Sequence, residues 1–95
     1  MTRAMVLQNH GRRARSVASA ALVIPKKHIS TINELQSEDA ELVGQMYLAA
    51  KQIAADNGLS ERGYRTTMNC NADAGQTVFH LHFHFLAGRT LGQLG

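Results

Sequence analysis

The sequence predicts a small α+β domain, in which an antiparallel sheet packs on one long helix. Three observations indicate this fold class. Histidine alternates with large apolar residues over HLHFHFL, residues 80–86, which is typical of a strand. Apolar residues recur at helical spacing between residues 42 and 53. Two short runs, residues 20–24 and 64–69, favour extended structure.

The first predicted elements are a strand and a helix. Residues 20–24 read AALVI, a short buried strand that Pro25 and the charged residues after it should end. A helix is predicted over residues 38–57, with Ser37 as its cap and acids in its first turn. Its apolar face comprises Leu42, Met46, Ala49, Ala50 and Ile53. Asn57 and Gly58 should end the helix in a left-handed turn.

Two further strands complete the predicted sheet. Residues 64–69 contain adjacent threonines, which favour a strand, and residues 71–77 are rich in turn formers. The histidine strand follows, and Gly88 closes it. The predicted order is therefore strand, helix, strand, loop, strand.

Basic charge is concentrated at the start of the chain. Residues 1–33 carry six basic residues and no acid, whereas four basic residues and seven acids follow. Residues 1–19 show no strand or helix period, so we expect a disordered basic leader before a domain at residues 20–95. Since the basic surplus belongs to the N-terminal third, we predict no nucleic-acid partner. An arginine-rich start without acids also suits a mitochondrial transit peptide, which makes mitochondria the alternative to a cytoplasmic location.

Cysteine content and hydropathy exclude other classes. The lone cysteine, Cys70, cannot form an internal disulfide and fits a reducing compartment. No apolar run approaches the roughly 18 residues of a membrane span. We therefore predict no membrane partner.

The three alternating histidines, His80, His82 and His84, share one face of their strand because successive side chains point to opposite faces. This face could be merely polar. It could bind zinc, with His28 or Cys70 approaching as a further ligand, but the outer histidines lie too far apart to share one ion without strain. We predict no metal and no cofactor.

A third interpretation is nucleophilic catalysis on phosphorus. A neutral imidazole is a good nucleophile near pH 7, so His82 can attack while its neighbours orient it or carry a proton. Gly75, Gln76 and Thr77, just before the strand, offer backbone, amide and hydroxyl groups for an anion.

These residues resemble a known family. The run at 80–86 is similar to the His-φ-His-φ-His-φ-φ signature (φ, apolar) of the histidine triad (HIT) superfamily. LVIPKKHI at 22–29, GYR at 63–65, Asn69 and GQTVFHLHFHFLAGR at 75–89 resemble its Hint branch, the purine nucleoside phosphoramidases.

The resemblance implies a nucleotide hydrolase that cleaves the P–N bond of purine nucleoside 5′-phosphoramidates, conjugates of AMP or GMP. It implies that His82 forms a covalent nucleotidyl intermediate, that the backbone carbonyl of His80 orients its ring, and that His84 contacts phosphate and assists the leaving group. It further implies that the phosphate-binding loop comprises Gly75, Gln76 and Thr77, and that Asn69 contacts ribose and phosphate. His28 is expected to be structural.

Departures from the Hint pattern suggest an alternative. Hint proteins carry N-terminal strands with an acid that binds the ribose hydroxyls, whereas residues 1–20 contain no acid, so we expect an N-terminally truncated domain. The C-terminal tryptophan of the family is also missing. The alternative function is a catalytically impaired nucleotide-binding or interaction module. In either case the resemblance implies a homodimer, formed through residues near 38–57 and the strand at 63–70.

Overall fold

The computed structural model describes residues 4–8 and 19–92, and it confirms the predicted α+β arrangement. One antiparallel sheet has the strand order β1-β2-β4-β3. Its strands are β1 (Ala4–Gln8), β2 (Ser19–Pro25), β3 (Tyr64–Thr67) and β4 (Phe83–Ala87). The helix α1 (Ala40–Asp56) packs on one face of this sheet.

The core lies between α1 and the two central strands. In the β2–β4 pair, Val23 lies opposite Phe83 and Ala21 opposite Phe85, and all four side chains are buried. Leu42 and Met46 of α1 are buried in the same cluster. Complete burial of side chains of this size contributes about 1.5–3 kcal/mol each, so this cluster is the main support of the histidine-bearing strand.

The C-terminal end of α1 is as predicted. Gly58 adopts a left-handed φ of 68°, which glycine tolerates without steric cost. The N–H of Leu59 donates to the carbonyl of Ala54 (2.8 Å) and that of Gly58 to Ala55 (3.3 Å), the two bonds of a Schellman motif. Leu59 is buried over this turn.

The N-terminal end of α1 differs from the prediction. Ser37 does not cap the helix; it begins a single 3₁₀ turn, Ser37–Asp39, and α1 begins at Ala40. The buried carboxylate of Asp39 accepts the backbone N–H of Gln36 (2.9 Å) and an ion pair from Lys27 (2.6 Å). Asp39 is the residue before α1, but its side chain makes no hydrogen bond to the first turn of that helix. Its carboxylate instead closes a capping box with Gln36 around the 3₁₀ turn.

The predicted leader needs correction. Residues 4–8 form β1, which pairs with β2 from Ala4↔Pro25 to Gln8↔Ala21, so the prediction of disorder is wrong for them. The exposed edge of β2 offers unpaired backbone groups, and pairing satisfies them even without an alternating side-chain pattern. The rest of the predicted leader, residues 1–3 and 9–18, lies outside the described residues.

Two strands are shorter than predicted. β3 ends at Thr67 rather than Asn69, and β4 begins at Phe83 rather than His80. Asn69 and the first two histidines therefore lie in connecting segments, outside the hydrogen-bonded strands. Across the described ranges 4–8 and 19–92, no helix is both long enough and apolar enough to cross a bilayer.

Candidate active site

The three histidines form a half-buried row along the start of β4. Leu81, Phe83 and Phe85 are buried, whereas the intervening His80, His82 and His84 are each partly accessible. The alternation that the sequence predicted thus begins before the hydrogen-bonded strand does. It places apolar groups toward α1 and keeps the imidazoles open to a ligand.

The ring of His82 is oriented by the backbone of His80. Its Nδ1 lies 2.8 Å from the backbone carbonyl oxygen of His80. A carbonyl only accepts, so Nδ1 carries the proton and Nε2 carries a lone pair when the ring is neutral. Among the described residues none forms a hydrogen bond with that Nε2. The contact is the one that the resemblance implied for the nucleophile and its orienting residue.

His84 lies next to this ring. The ring centroids of His82 and His84 are 5.3 Å apart, with the planes nearly perpendicular. Partial burial lowers the pKa of His84 below its ordinary value, and the charge of a protonated His82 lowers it further. His84 is thereby kept neutral near pH 7, and once protonated it is a stronger acid than a free imidazole.

Residues 25–30 and 76–81 form a clasp of four hydrogen bonds around the histidine row. The bonds join His80 Nε2 to Pro25 O (3.0 Å), Leu81 N to Ile29 O (2.6 Å), Gln76 Nε2 to Ser30 O (2.9 Å) and His28 Nε2 to Phe79 O (3.2 Å). Lys27, within the first segment, is tied to Asp39 at the start of α1. The clasp therefore fixes the row against the helix as well as the sheet.

His28, expected to be structural, packs beside the histidine row. Its ring stacks on that of His80, with centroids 4.9 Å apart and planes inclined by 31°. The ring contacts of the described histidines are therefore two separate pairs, His28 with His80 and His82 with His84.

The amide of Gln76, a predicted phosphate contact, forms its hydrogen bonds within the protein. The buried amide donates to the carbonyls of Ser30 and Val78 (2.9 and 3.0 Å) and accepts the N–H of Asn71 (2.7 Å). Its backbone N–H is also used, donating to Asn71 (3.1 Å). With every donor committed, Gln76 shapes the loop and leaves no N–H for an anion.

The other predicted binding residues are accessible. Asn69 and Thr77 are exposed, and in the described ranges neither side chain forms a hydrogen bond. Gly75 has a left-handed φ of 85° and its N–H closes a short 3₁₀ turn on Ala72 (2.9 Å). The groups of this loop that remain open to a phosphate therefore include the Thr77 hydroxyl but neither the Gly75 N–H nor the Gln76 amide.

No set of three or more histidine, cysteine or acidic side chains in the described part of the chain is arranged to hold a metal ion. Cys70, weighed above as a zinc ligand, is a partly buried free thiol. The arrangement suits nucleophilic chemistry at one imidazole, with a second imidazole beside it and a loop hydroxyl in the segment before it.

Comparison with known proteins gives a family match. A family model described as HIT domain matches residues 12–91. The purine nucleoside phosphoramidase of Escherichia coli (strain K12) is 42% identical over 73 residues, which cover 77% of this chain and 61% of that protein. An uncharacterized HIT-like protein of Synechococcus elongatus is 50% identical over 70 residues, covering 74% of this chain and 60% of that protein. The chain thus spans about 60% of the length of these curated relatives.

Solved structures share the fold. A HIT family hydrolase from Legionella pneumophila superposes with a TM-score of 0.85 at 39% identity, covering 97% of this chain and 80% of that one. A HIT family hydrolase from Clostridium thermocellum superposes with a TM-score of 0.86 at 35% identity, covering 99% and 79%. The predicted HIT-like sheet on one long helix is confirmed by these likenesses.

Proposed function

The chain belongs to the HIT family, and from this membership and the geometry of the histidine row we propose that it hydrolyses the P–N bond of purine nucleoside 5′-phosphoramidates. One observation carries the proposal: the hydrogen bond from His82 Nδ1 to the His80 carbonyl, which leaves the Nε2 lone pair for attack. The name of the Escherichia coli relative supports the choice of substrate class.

The proposed reaction has two displacements at phosphorus. His82 Nε2 attacks the phosphorus, a P–N bond to His82 forms, and the P–N bond to the amine breaks. The amine leaves with a proton that His84 supplies, since an anionic phosphate beside His84 favours its protonated form. Water then attacks phosphorus and gives one proton to His84, the P–N bond to His82 breaks, and the nucleoside monophosphate and the neutral His82 ring are released.

The remaining site residues bind and position. The Thr77 hydroxyl contacts a phosphate oxygen and Asn69 contacts the ribose–phosphate link. Gly75 and Gln76 act through the shape of the loop, because their donors are already committed. His28 positions His80 by stacking.

Assembly and location complete the proposal. Tyr47 of α1 and Tyr64 of β3 stack on the buried Phe83 and Phe85 and remain 48% and 39% exposed. These tyrosines, together with the free edge of β3, support a homodimer that joins two sheets through α1 and β3. We place the protein in the cytoplasm, where a lone thiol such as Cys70 stays reduced.

The distribution of acidic residues supports a second candidate function, a nucleotide-binding module with impaired catalysis. Residues 1–33 contain no acid, so no carboxylate from that part of the chain can bind the ribose hydroxyls. Such a module would bind nucleoside monophosphate without turning over a phosphoramidate.

Quenched-reaction mass spectrometry with an adenosine phosphoramidate separates the two. We expect a transient adenylyl group on His82, and His82→Ala should abolish both the adduct and turnover. His10→Ala, which removes a histidine outside the resemblance, is the matched control and should keep both. An adduct on another histidine, or turnover by His82→Ala, contradicts the mechanism. AMP binding without turnover by the folded wild-type chain favours the module.

A further inference from the structure

A pocket of about 220 Å³ lies beyond the paired ends of β3 and β4. Tyr64 and Ala87 are paired in these strands, and Gly63 and Gly88, the residues just outside that pair, line the pocket with Arg62, Arg89 and Thr90. Gly88 follows His82 by six residues, which corresponds to about 20 Å along an extended chain. The pocket is therefore separate from the histidine row.

Two arginines give this pocket its charge. Arg62 and Arg89 are both exposed, and in the part of the chain that the structure describes no acid forms an ion pair with either. One guanidinium N–H of Arg89 donates to the carbonyl of Thr90 (2.5 Å), which holds that group at the rim. Arg65 donates to the carbonyl of Gly92 (2.6 Å) and so ties the segment after Thr90 to β3.

Two like charges around one concavity repel each other, and an anion between them converts that repulsion into attraction. Guanidinium groups bind tetrahedral oxyanions through paired N–H donors, and a threonine hydroxyl adds a further donor. The volume exceeds the roughly 30 Å³ share of one water several times over, so an oxyanion with a small substituent fits.

We propose that this pocket, formed by Arg62, Arg89 and Thr90 at the end of the sheet away from the histidine row, binds a phosphate group, either free or as a small phosphate monoester. This site does not depend on the hydrolase activity proposed above. Its ligand would occupy the opposite end of β4 from the reacting histidine, as an anchored or regulatory anion.

Amide NMR titration of the full chain with inorganic phosphate and with glycerol 3-phosphate tests the proposal. We expect saturable shifts at Gly63, Gly88 and Thr90 with both probes. Tighter binding of glycerol 3-phosphate identifies a monoester as the ligand class, and equal binding identifies free phosphate. Shifts confined to residues 75–84 would place the anion at the histidine row and overturn the proposal.

A pair of double variants tests the role of the two arginines. Arg62→Ala/Arg89→Ala should weaken binding at these amides at least about tenfold, the loss expected for charge-assisted hydrogen bonds. Lys26→Ala/Lys51→Ala removes the same net charge from exposed positions outside the pocket and should keep the affinity within about twofold. All four positions are exposed, so the fold should persist, which thermal melting checks. Equal weakening in both double variants would show a general charge effect and contradict a built site.

Discussion

The Nδ1 of His82 and the backbone carbonyl oxygen of His80 lie 2.8 Å apart, so the ring of one histidine is oriented by the main chain of another. The acceptor is a backbone atom, so the contact does not use the His80 side chain. The side chain of His80 has a separate partner, the Pro25 carbonyl at 3.0 Å. The two contacts of His80 therefore use different groups, its backbone carbonyl for His82 and its side chain for Pro25.

The first prediction concerns the tautomer of His82. ¹⁵N–¹H long-range NMR spectra at neutral pH should show His82 protonated at Nδ1 and unprotonated at Nε2. His80→Ala should leave this tautomer unchanged, since the carbonyl remains. A neutral His82 with its proton on Nε2 would mean that the observed hydrogen bond does not hold in solution.

The second prediction concerns the pH dependence of stability. The lowered pKa of His84 means that the unfolded chain takes up a proton near pH 6.5, whereas the folded chain does so only at lower pH. The unfolded state then binds more protons in that window, so stability falls as pH drops through about 6.5. The cross-strand neighbours Leu22 and Thr67 carry no charge that would offset this effect.

Urea unfolding of wild type and His84→Asn, from about pH 7.5 to about pH 5.5, measures the contribution of His84. Wild type should lose more stability across this range than the variant. Parallel stability curves would show that burial of His84 does not disfavour its charged form.

The third prediction concerns Gln76 and its loop. Gln76→Ala leaves the carbonyls of Ser30 and Val78 and the N–H of Asn71 without the buried amide that they contact, so the free energy of unfolding should fall by about 1–3 kcal/mol. Thr77→Ala removes only an exposed hydroxyl and should change stability by less than about 0.5 kcal/mol. Chemical denaturation of the two variants measures both, and equal losses would contradict the assignment of Gln76 as the residue that shapes the loop.

The fourth prediction concerns strain at Asn71. This residue has φ 67° and ψ −173°, a backbone conformation that residues other than glycine rarely adopt. Asn71→Gly should therefore raise stability by about 1 kcal/mol, although glycine is more flexible when unfolded. Asp73→Gly, two residues along in a turn with no left-handed φ, is the matched control and should be neutral or destabilising. A stability loss in Asn71→Gly would show that the strain is absent.

The fifth prediction concerns the proposed dimer. Wild type should scatter light as a dimer at micromolar concentration, and Tyr47→Glu should dissociate it by placing a charge among the exposed aromatic groups. Ile32→Glu changes a comparably exposed apolar residue away from α1 and β3, and it should remain dimeric. Circular dichroism checks that both variants fold. A monomeric wild type, or dissociation by both variants, argues against this interface.

Local sequence predicted much of the fold because several signals are short-range. The period of α1, the Asn57–Gly58 ending and the alternation around His82 each depend on residues within one element. The strand β1 was missed because its pairing with β2 is satisfied by backbone groups, which leave little pattern in the side chains.

The site was predicted less completely for a similar reason. The triad itself is contiguous, whereas the partners of Gln76 and His80 lie 46 and 55 residues away in sequence. A glutamine in a glycine loop suggests a ligand contact, and only the tertiary structure shows that Ser30 and Val78 use its amide. The contact between His28 and His80 joins the same two distant segments, so local sequence does not show it.

The clasp between residues 25–30 and 76–81 has a consequence for folding kinetics. Each of its bonds closes a loop of about 50 residues. The entropic cost of closing so long a loop is offset only when many contacts form together. The helix between the two segments can form early, yet the histidine row cannot acquire its geometry until residues 25–30 and 76–81 meet. Recovery of the His82 tautomer during refolding would then coincide with the last cooperative step, and the histidine row of a nascent chain would remain unformed until residues 76–81 had been synthesised and docked.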